Sequence, residues 1–349
     1  MASTNCLFIP ELFDIVCAHS DPRDLCRMAR TCRAWQSIAL DSIWNTLSSM
    51  NPILGLLPRD AWTTETKMIG WGLEVEVLIF TRPLTAADWE RPLAYTSRVR
   101  SLTADVGTRS IAASQTNIVD ILSTCPVPLF PHLRTLSLRV SSSAPLLKFF
   151  DSLVGHTDTL DSLALWLDQA CASQQVPLVP LNDGLHSRCP NLFKFALYAP
   201  WLTASRDILA GWKHLRVLRA PRLSREALRH VATLARLEQL VLTDSRAQEF
   251  DAGETLPFPA LARLEMRLDQ LDGATAFLSS LDSEQPLRSV KLHYTAKAPT
   301  LLVETFMRAL TEQCDQLDEL LINGVRATLD GSAEEWNIPK GQSRSTATA

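Results

Sequence analysis

One apolar spacing, Leu-x-x-Leu-x-Leu, recurs in exact or weakened form along the chain beyond residue 98. The clearest copies begin at Leu133, Leu237 and Leu261. If the second leucine position of each copy is taken as its anchor, successive anchors lie on average about 27 residues apart. The anchors are Leu102, Leu136, Leu163, Phe195, Leu218, Leu240, Leu264, Val290 and Leu320. Such a period is typical of repeat proteins, in which each unit buries its apolar face against its neighbours.

Each repeat is predicted to contain a strand followed by a helix. Around the anchor Leu136, apolar Leu138 alternates with polar Ser137, and a period of two is typical of a half-buried strand. Three of the stretches between strands are predicted helices: Pro145 to His156, Ser224 to Leu234 and Thr300 to Gln313. Residues 170–189, with two prolines and an Asn-Asp-Gly sequence, are predicted to form a loop. Strand and helix repeated at this pitch predict an α/β fold, a curved solenoid whose parallel strands line the inner wall.

The segment from Phe8 to Leu47 is predicted to form three short helices. Pro10 suits the first turn of the first helix, and Asp21 is placed to cap the second. The third helix carries an apolar stripe that includes Trp35. Because a segment of about 40 residues rarely builds an adequate core alone, we predict a docking module whose surplus apolar surface fits a groove of another protein.

Four strings in this segment carry a resemblance to a known family. They are Ile9-Pro10-Glu11-Leu12, Pro22-Arg23-Asp24-Leu25, Ala29-Arg30-Thr31-Cys32-Arg33-Ala34-Trp35 and Ile43-Trp44. The strings resemble the F-box, the motif that binds the Skp adaptor of SCF (Skp, cullin, F-box) ubiquitin ligases, although Ile9 stands where the family usually has leucine. By position, the resemblance implies seven residues that build the module or contact the adaptor: Pro10, Leu12, Ile15, Leu25, Cys32, Trp35 and Trp44. The alternative for each of them is a place in the core of the module.

The repeats beyond residue 98 resemble irregular leucine-rich repeats, although they lack the family's usual Asn or Cys after the second strand leucine. Together with the N-terminal helices, they resemble F-box proteins of a type frequent in mushroom-forming fungi. Residues 81–91 and 98–102 resemble the connecting segment of that group. The resemblance implies an F-box helical module at 1–60, a connecting segment at 61–97 and a leucine-rich-repeat-like solenoid at 98–335, and the polar composition of the last residues predicts a disordered tail at 336–349.

The strand positions that point away from the core are candidates for binding a target protein. The selected candidates are aromatic or positively charged residues at these positions: Arg139, Trp166, Tyr198, Arg219, Arg267 and His293. Trp166 and Tyr198 fall in successive repeats, so they are expected to stand about one strand spacing apart. Aromatic residues beside arginines are typical of binding hot spots. In the alternative interpretation, each aromatic side chain is covered by its own loop.

Charge and hydropathy argue against several kinds of partner. The net charge is −4, from 34 Lys and Arg against 38 Asp and Glu, and binding to nucleic acid needs a cation surplus. Glu11 and Asp14 interrupt the first apolar run, and no run of 18 or more apolar residues occurs. We expect a protein of the cytoplasm, the nucleus or both, with reduced cysteines, no membrane contact and no bound nucleic acid.

The sequence lacks the common motifs of catalytic and cofactor-binding sites. Cys17, His19, Cys26 and Cys32 lie close together but lack the paired spacing typical of zinc sites. The sequence contains no phosphate-binding loop and no G-x-S-x-G nucleophile motif. We therefore expect no catalytic residue, no metal and no cofactor.

These features predict a substrate-recognition subunit of an SCF-type ubiquitin ligase, with no covalent chemistry of its own. The helices would dock on a Skp-type adaptor and through it on a cullin, while the repeats would bind a target protein of unknown identity. A second hypothesis is an interaction scaffold outside any ligase, with leucine-rich repeats and a vestigial F-box. A third is an enzyme whose site is built from residues without a motif.

Overall fold

A computed structural model describes eleven stretches of the chain. They are residues 9–69, 73–105, 120–140, 146–155, 157–167, 185–244, 255–268, 271–282, 286–294, 300–314 and 316–323. The chain divides into two compact units, Met1–Leu163 and Ala164–Ala349. The predicted tail at 336–349 and most of the loop predicted at 170–189 lie outside the described residues.

The first unit begins with the three helices that the sequence predicts: α1 (Pro10–Ala18), α2 (Pro22–Thr31) and α3 (Arg33–Asn45). The side chain of Asp21 accepts hydrogen bonds from the backbone N–H groups of Arg23 and Asp24, at 2.8 and 2.9 Å. The predicted cap of the second helix is therefore confirmed.

A short parallel sheet follows these helices in the first unit. The remaining elements of the first unit are β1 (Thr46–Leu47), α4 (Asn51–Leu54), β2 (Trp62–Ile69), β3 (Leu73–Phe80), a 3-10 helix (Ala86–Trp89), α5 (Glu90–Thr96), β4 (Ser101–Asp105), β5 (Thr135–Val140) and α6 (Leu146–Leu153). Strands β1, β4 and β5 pair in parallel in that order. The anchors Leu102 and Leu136 are register partners, and both are fully buried.

An antiparallel hairpin, formed by β2 and β3, was not predicted from the sequence. Polar residues at 63–66 of β2 are exposed, so this strand lacks the apolar alternation that reveals a half-buried strand. The chain leaves the hairpin through a hydrogen-bonded group of side chains centred on Arg82. This guanidinium donates to Asp60 at 2.8 Å and to both carboxylate oxygens of Asp88 at 2.8 and 2.9 Å.

The side chain of Asp88, which receives two of the hydrogen bonds from Arg82, is nearly buried. Besides the two bonds from Arg82, it accepts hydrogen bonds from the backbone N–H and the hydroxyl of Thr85, at 2.7 and 2.9 Å. The hydrogen bonds from Arg82, followed by the one from the Thr85 backbone, hold the pKa of Asp88 well below its ordinary value. The charged form of Asp88 therefore fixes the turn that begins the 3-10 helix and joins it to the end of the hairpin.

The remaining elements alternate strands with short helices. They are β6 (Ser162–Leu167), α7 (Leu185–Arg188), β7 (Lys194–Tyr198), β8 (Thr203–Ala204), α8 (Arg206–Leu209), β9 (Val217–Ala220), β10 (Arg222–Leu223), α9 (Arg225–Ala232), β11 (Gln239–Leu242), β12 (Arg263–Leu268), α10 (Leu271–Ser280), β13 (Ser289–Tyr294), α11 (Thr300–Gln313) and β14 (Glu319–Asn323). The helix α7 lies inside the predicted loop at 170–189, so that part of the prediction is wrong. A helical turn forms there because Leu185 is buried and its carbonyl accepts from the N–H of Cys189.

The sheet of the second unit keeps the predicted anchors in line. Strands β6, β7, β9, β11, β12, β13 and β14 are neighbours in that order, and every pair from β7 onward is parallel. The register joins the anchors Phe195, Leu218, Leu240, Leu264, Val290 and Leu320 from one strand to the next. Because the anchors are in register, the strands from β7 to β13 bury the same side-chain face, whereas Leu320 on the last strand is only half-buried. The predicted α/β fold with a mostly parallel sheet is confirmed.

Replacing Asp88 with Asn should destabilise the first unit. The change keeps the shape of the side chain but removes the charge that receives the bidentate bonds of Arg82. Because the pKa of Asp88 is depressed in the folded chain, its contribution is complete above its ordinary value of 3.8 and is lost as the pH falls below it. Thermal unfolding should therefore show a lower midpoint for Asp88→Asn at pH 7, and the difference should shrink in acid. An unchanged midpoint would contradict this role, and Asp24→Asn, which breaks an exposed pair with Arg27, is the matched control.

Candidate functional site

The inner face of α1 builds the core of the three-helix module. Phe13 and Cys17, one turn apart, are 1% exposed and pack with Leu25 and Ala39. Phe13 also stacks on Trp35 of α3, with ring centroids 4.7 Å apart and planes at 24°. Burial raises the pKa of the Cys17 thiol, so this cysteine stays protonated and packs as a small apolar residue.

The outer face of α1 is also apolar, but the described chain does not cover it. Ile9, Leu12, Ile15 and Val16 are 40%, 44%, 57% and 39% exposed. Positions 9, 12 and 16 follow the spacing of a helix stripe, and Ile15 lies beside them. Large apolar side chains concentrated on one helix face are typical of a surface that another protein covers.

The seven predicted adaptor-binding residues divide into three groups in the structure. Pro10, Leu12, Ile15 and Cys32 are exposed. Leu25 is buried inside the module, and Trp35 is half-buried against Phe13. Trp44 is half-buried too, and its ring lies 4.9 Å from that of Tyr95 in α5. Exposure thus separates the residues that a partner can reach from those that hold the module together, a division that spacing alone does not give.

The far end of the module is attached to the rest of the first unit. Arg98 forms an ion pair with Asp41 of α3 and donates to the carbonyl of Ser37 at 3.3 Å. The N–H of Arg100 donates to the carbonyl of Asn45 at 2.9 Å, where α3 leads into β1. The chain therefore fastens α3 to the rest of the first unit, while the outer face of α1 keeps its apolar side chains exposed.

A second candidate surface lies on the outward positions of the strands in the second unit. Trp166 of β6 and Tyr198 of β7 stack face to face, with ring centroids 3.6 Å apart and planes at 7°. Both rings are half-buried. Adjacent strands are about 4.8 Å apart, so the stack brings the two rings closer together than the strand spacing. The expected proximity of these two residues is therefore present.

Three charged or polar side chains continue the row from this stack. The guanidinium carbon of Arg219 lies 5.7 Å from the Tyr198 ring centroid, and its Nη1 is 3.5 Å from the Tyr198 hydroxyl. Glu265 Oε1 is 3.8 Å from Arg219 Nη2 and 3.7 Å from His293 Nε2. The residues from Trp166 to His293 thus form one continuous row, which we call the strand row: Trp166, Tyr198, Arg219, Glu265 and His293. Of these residues, Glu265 was missing from the predicted site, because the selection favoured aromatic and positively charged side chains.

The strand row covers part of the outward face of the sheet. Val241 lies on β11 between Arg219 and Glu265 in register, and it is 1% exposed although its position faces away from the core. We attribute its burial to the Arg219 and Glu265 side chains, which meet above it. Ala196 and Pro221, which hold outward positions as well, are also buried, so not every outward position is available to a partner.

The two remaining target-binding candidates lie beside or apart from the strand row. Arg267 is exposed on β12, and its register partner on β13 is His293. Arg139 is exposed on β5 of the first unit, where its register partner is Asp105. Arg267 therefore borders the strand row within the second unit, whereas Arg139 belongs to the other unit.

Two features of other protein classes, a metal-binding cluster and a membrane-spanning helix, are absent from the described stretches. Across the parts of the chain that the structure describes, no three or more His, Cys, Asp or Glu side chains are grouped so that they could hold a metal ion. Within the same stretches, no helix has both the length and the apolar character needed to span a membrane.

Comparison with known proteins identifies one part of the chain. The family model for F-box-like domains matches residues 10–49, which hold α1, α2, α3 and β1. The chain therefore carries an F-box-like domain, and its N-terminal helices fit that domain. No curated protein matches the chain significantly.

Substitutions at two neighbouring residues should show that the two faces of α1 contribute differently to the stability of the module. Phe13→Ala removes a buried ring and should cost roughly 3 to 5 kcal/mol in module stability. Leu12→Ala, on the outer face, should cost much less because that side chain is 44% exposed. Hydrogen–deuterium exchange of the backbone amides of α1 measures the difference: Phe13→Ala should speed exchange strongly, and Leu12→Ala should leave it nearly unchanged. Equal acceleration by both would contradict this assignment of the faces.

Proposed function

We propose that this protein is a substrate receptor of an SCF-type ubiquitin ligase. The observation that carries the proposal is the exposed apolar face of α1, formed by Ile9, Leu12, Ile15 and Val16 within an F-box-like domain. F-box domains commonly bind Skp adaptors, and an exposed apolar helix face is the kind of surface that fits a groove of a partner. In this proposal, the face docks on a Skp-type adaptor, and a cullin joins through the adaptor.

The strands and helices after the F-box-like domain are proposed to be irregular leucine-rich repeats. Two observations support this: the anchor period of about 27 residues, and the parallel register that joins one anchor to the next. The strand row is then the surface that binds the target protein. Arg267 lies beside it, and Arg139 of the first unit stays a separate prediction from the sequence.

The receptor contributes positioning and carries out no covalent step of its own. Holding a target on one surface and the adaptor on another raises the local concentration of target lysines near the transfer machinery. Such a receptor would act in the cytoplasm, the nucleus or both, where ubiquitin ligases of this type find their targets.

Alanine substitutions at exposed positions of α1 should weaken adaptor binding without unfolding the module. The double variant Leu12→Ala, Ile15→Ala removes apolar area that binding would bury, and the loss should be about 2 kcal/mol, roughly thirtyfold in Kd. Co-expression with a fungal Skp adaptor, followed by copurification and a binding titration, measures it. The matched control is Met68→Ala, Val127→Ala, which truncates two exposed apolar side chains elsewhere in the first unit.

The wild-type chain and the control should bind the adaptor equally well. Failure of the wild-type chain to bind any Skp adaptor would contradict the proposed function. Equal binding by the Leu12, Ile15 variant would contradict the assigned docking face, even if the chain binds the adaptor by another route.

A further inference from the structure

The contacts that the guanidinium of Arg219 makes with other described residues are long, although it lies in the middle of the strand row. Its contact with the Tyr198 hydroxyl is 3.5 Å long, and its closest approach to Glu265 is 3.8 Å. A good charge-assisted hydrogen bond from a guanidinium is about 2.7 to 2.9 Å long. The side chain is 33% exposed, so its planar donor groups can reach a partner. The Tyr198 ring beneath it, itself stacked on Trp166, holds it in place.

Among the residues at outward strand positions around Arg219, positively charged side chains outnumber negatively charged ones. The cationic members are Lys194, Arg219, Arg263, Arg267 and Lys291, and the anionic members are Glu265 and Glu319. The whole chain has a net charge of −4, so this face runs against the overall balance. One of the two carboxylates, Glu319, accepts from Ser289 at 2.8 Å and lies 3.0 Å from Lys291, so it offsets part of the charge of that lysine and would share it with an acidic ligand. A surface with this surplus attracts a partner of negative charge.

We propose that the strand row of the second unit binds an extended peptide segment with acidic side chains. One carboxylate or phosphate of the segment takes the bidentate bonds of the Arg219 guanidinium, beside the aromatic stack. A second acidic side chain lies over Lys291. This inference rests on the proposed function in one respect, that the strand face is where the target binds; it names the chemistry of the target.

The spacing of the strands sets the length of the recognised segment. Arg219 on β9 and Lys291 on β13 are separated by β11 and β12 in the sheet, which is three strand spacings or about 14 Å. An extended peptide advances about 3.3 Å per residue, and its alternate side chains point the same way. Two acidic residues at positions i and i+4 therefore match the two cations.

Glu265 gives the proposal its sharpest test. Its carboxylate lies between Arg219 and His293 and would repel an acidic ligand at this point. Removing its charge should therefore strengthen binding of an acidic peptide. If the strand row instead bound a basic peptide through Glu265, the same change would weaken binding.

The experiment uses the full-length chain and immobilised pools of nine-residue peptides. Positions 3 and 7 hold Glu, phosphoserine, Gln or Lys in four separate pools, and the other positions are randomised over uncharged residues. The wild-type chain should bind the Glu pool or the phosphoserine pool at least about tenfold more tightly than the Gln pool. The comparison of these two acidic pools assigns the anion to carboxylate or phosphate.

Three variants accompany the wild-type chain in the same assay. Arg219→Gln should lower binding of the acidic pools about tenfold, and Glu265→Gln should raise it severalfold. The charge-matched control Arg206→Gln, at an exposed position of α8, should leave binding unchanged. The thermal midpoint of each variant shows whether it is folded. If Arg219→Gln fails to fold, the increase for Glu265→Gln decides the question.

Several outcomes would overturn the inference. These are equal binding of the acidic and Gln pools, preference for the Lys pool, no binding of any pool, or weaker acidic binding by Glu265→Gln. Adaptor binding is measured on the same preparations. A chain that binds the Skp adaptor but ignores acidic peptides would disprove this inference alone, whereas loss of adaptor binding would count against the proposed function.

Discussion

Helix α1 has two apolar faces, and the described chain covers only one of them. Phe13 and Cys17 on the inner face complete the core of the F-box-like domain, and Arg98 and Arg100 fasten the far end of that domain to the first unit. Ile15, on the other face, is more than half exposed. Because the free energy falls when apolar surface is removed from water, this face favours association with another protein. The proposed adaptor docking follows from this unequal covering of one helix.

The sheet of the second unit determines which side chains lie on the proposed target-binding surface. Its anchors are joined in register, so the residues between them form columns across neighbouring strands. The strand row arises in this way, because Arg219 and Glu265 flank Val241 in register and can meet above it. A register shift of one residue on any strand would turn its part of the row into the core.

Much of the fold could be predicted from the sequence because its signals are periodic. The anchor spacing predicts strands that are present, and the Asp21-Pro22 pair predicts the start of α2. The β2–β3 hairpin was missed because exposed polar residues at 63–66 give no apolar alternation. The division of the F-box-like residues was also beyond the sequence, because Leu12 and Phe13 are both apolar neighbours and only packing separates them. Glu265 was missed because the selection favoured aromatic and positively charged side chains, and because its contacts Arg219 and His293 are distant in sequence.

The central claim is that a partner, and not the chain itself, covers the outer face of α1. The most direct measurement is the alkylation rate of an Ile15→Cys thiol, followed by fragmentation of the α1 peptide in the mass spectrometer, which distinguishes a label at position 15 from one on the buried Cys17 of the same helix. The account predicts fast alkylation in the isolated chain and strong slowing when a Skp adaptor is added. Slow alkylation in the isolated, folded chain would mean that the chain seals this face itself, and it would contradict the account.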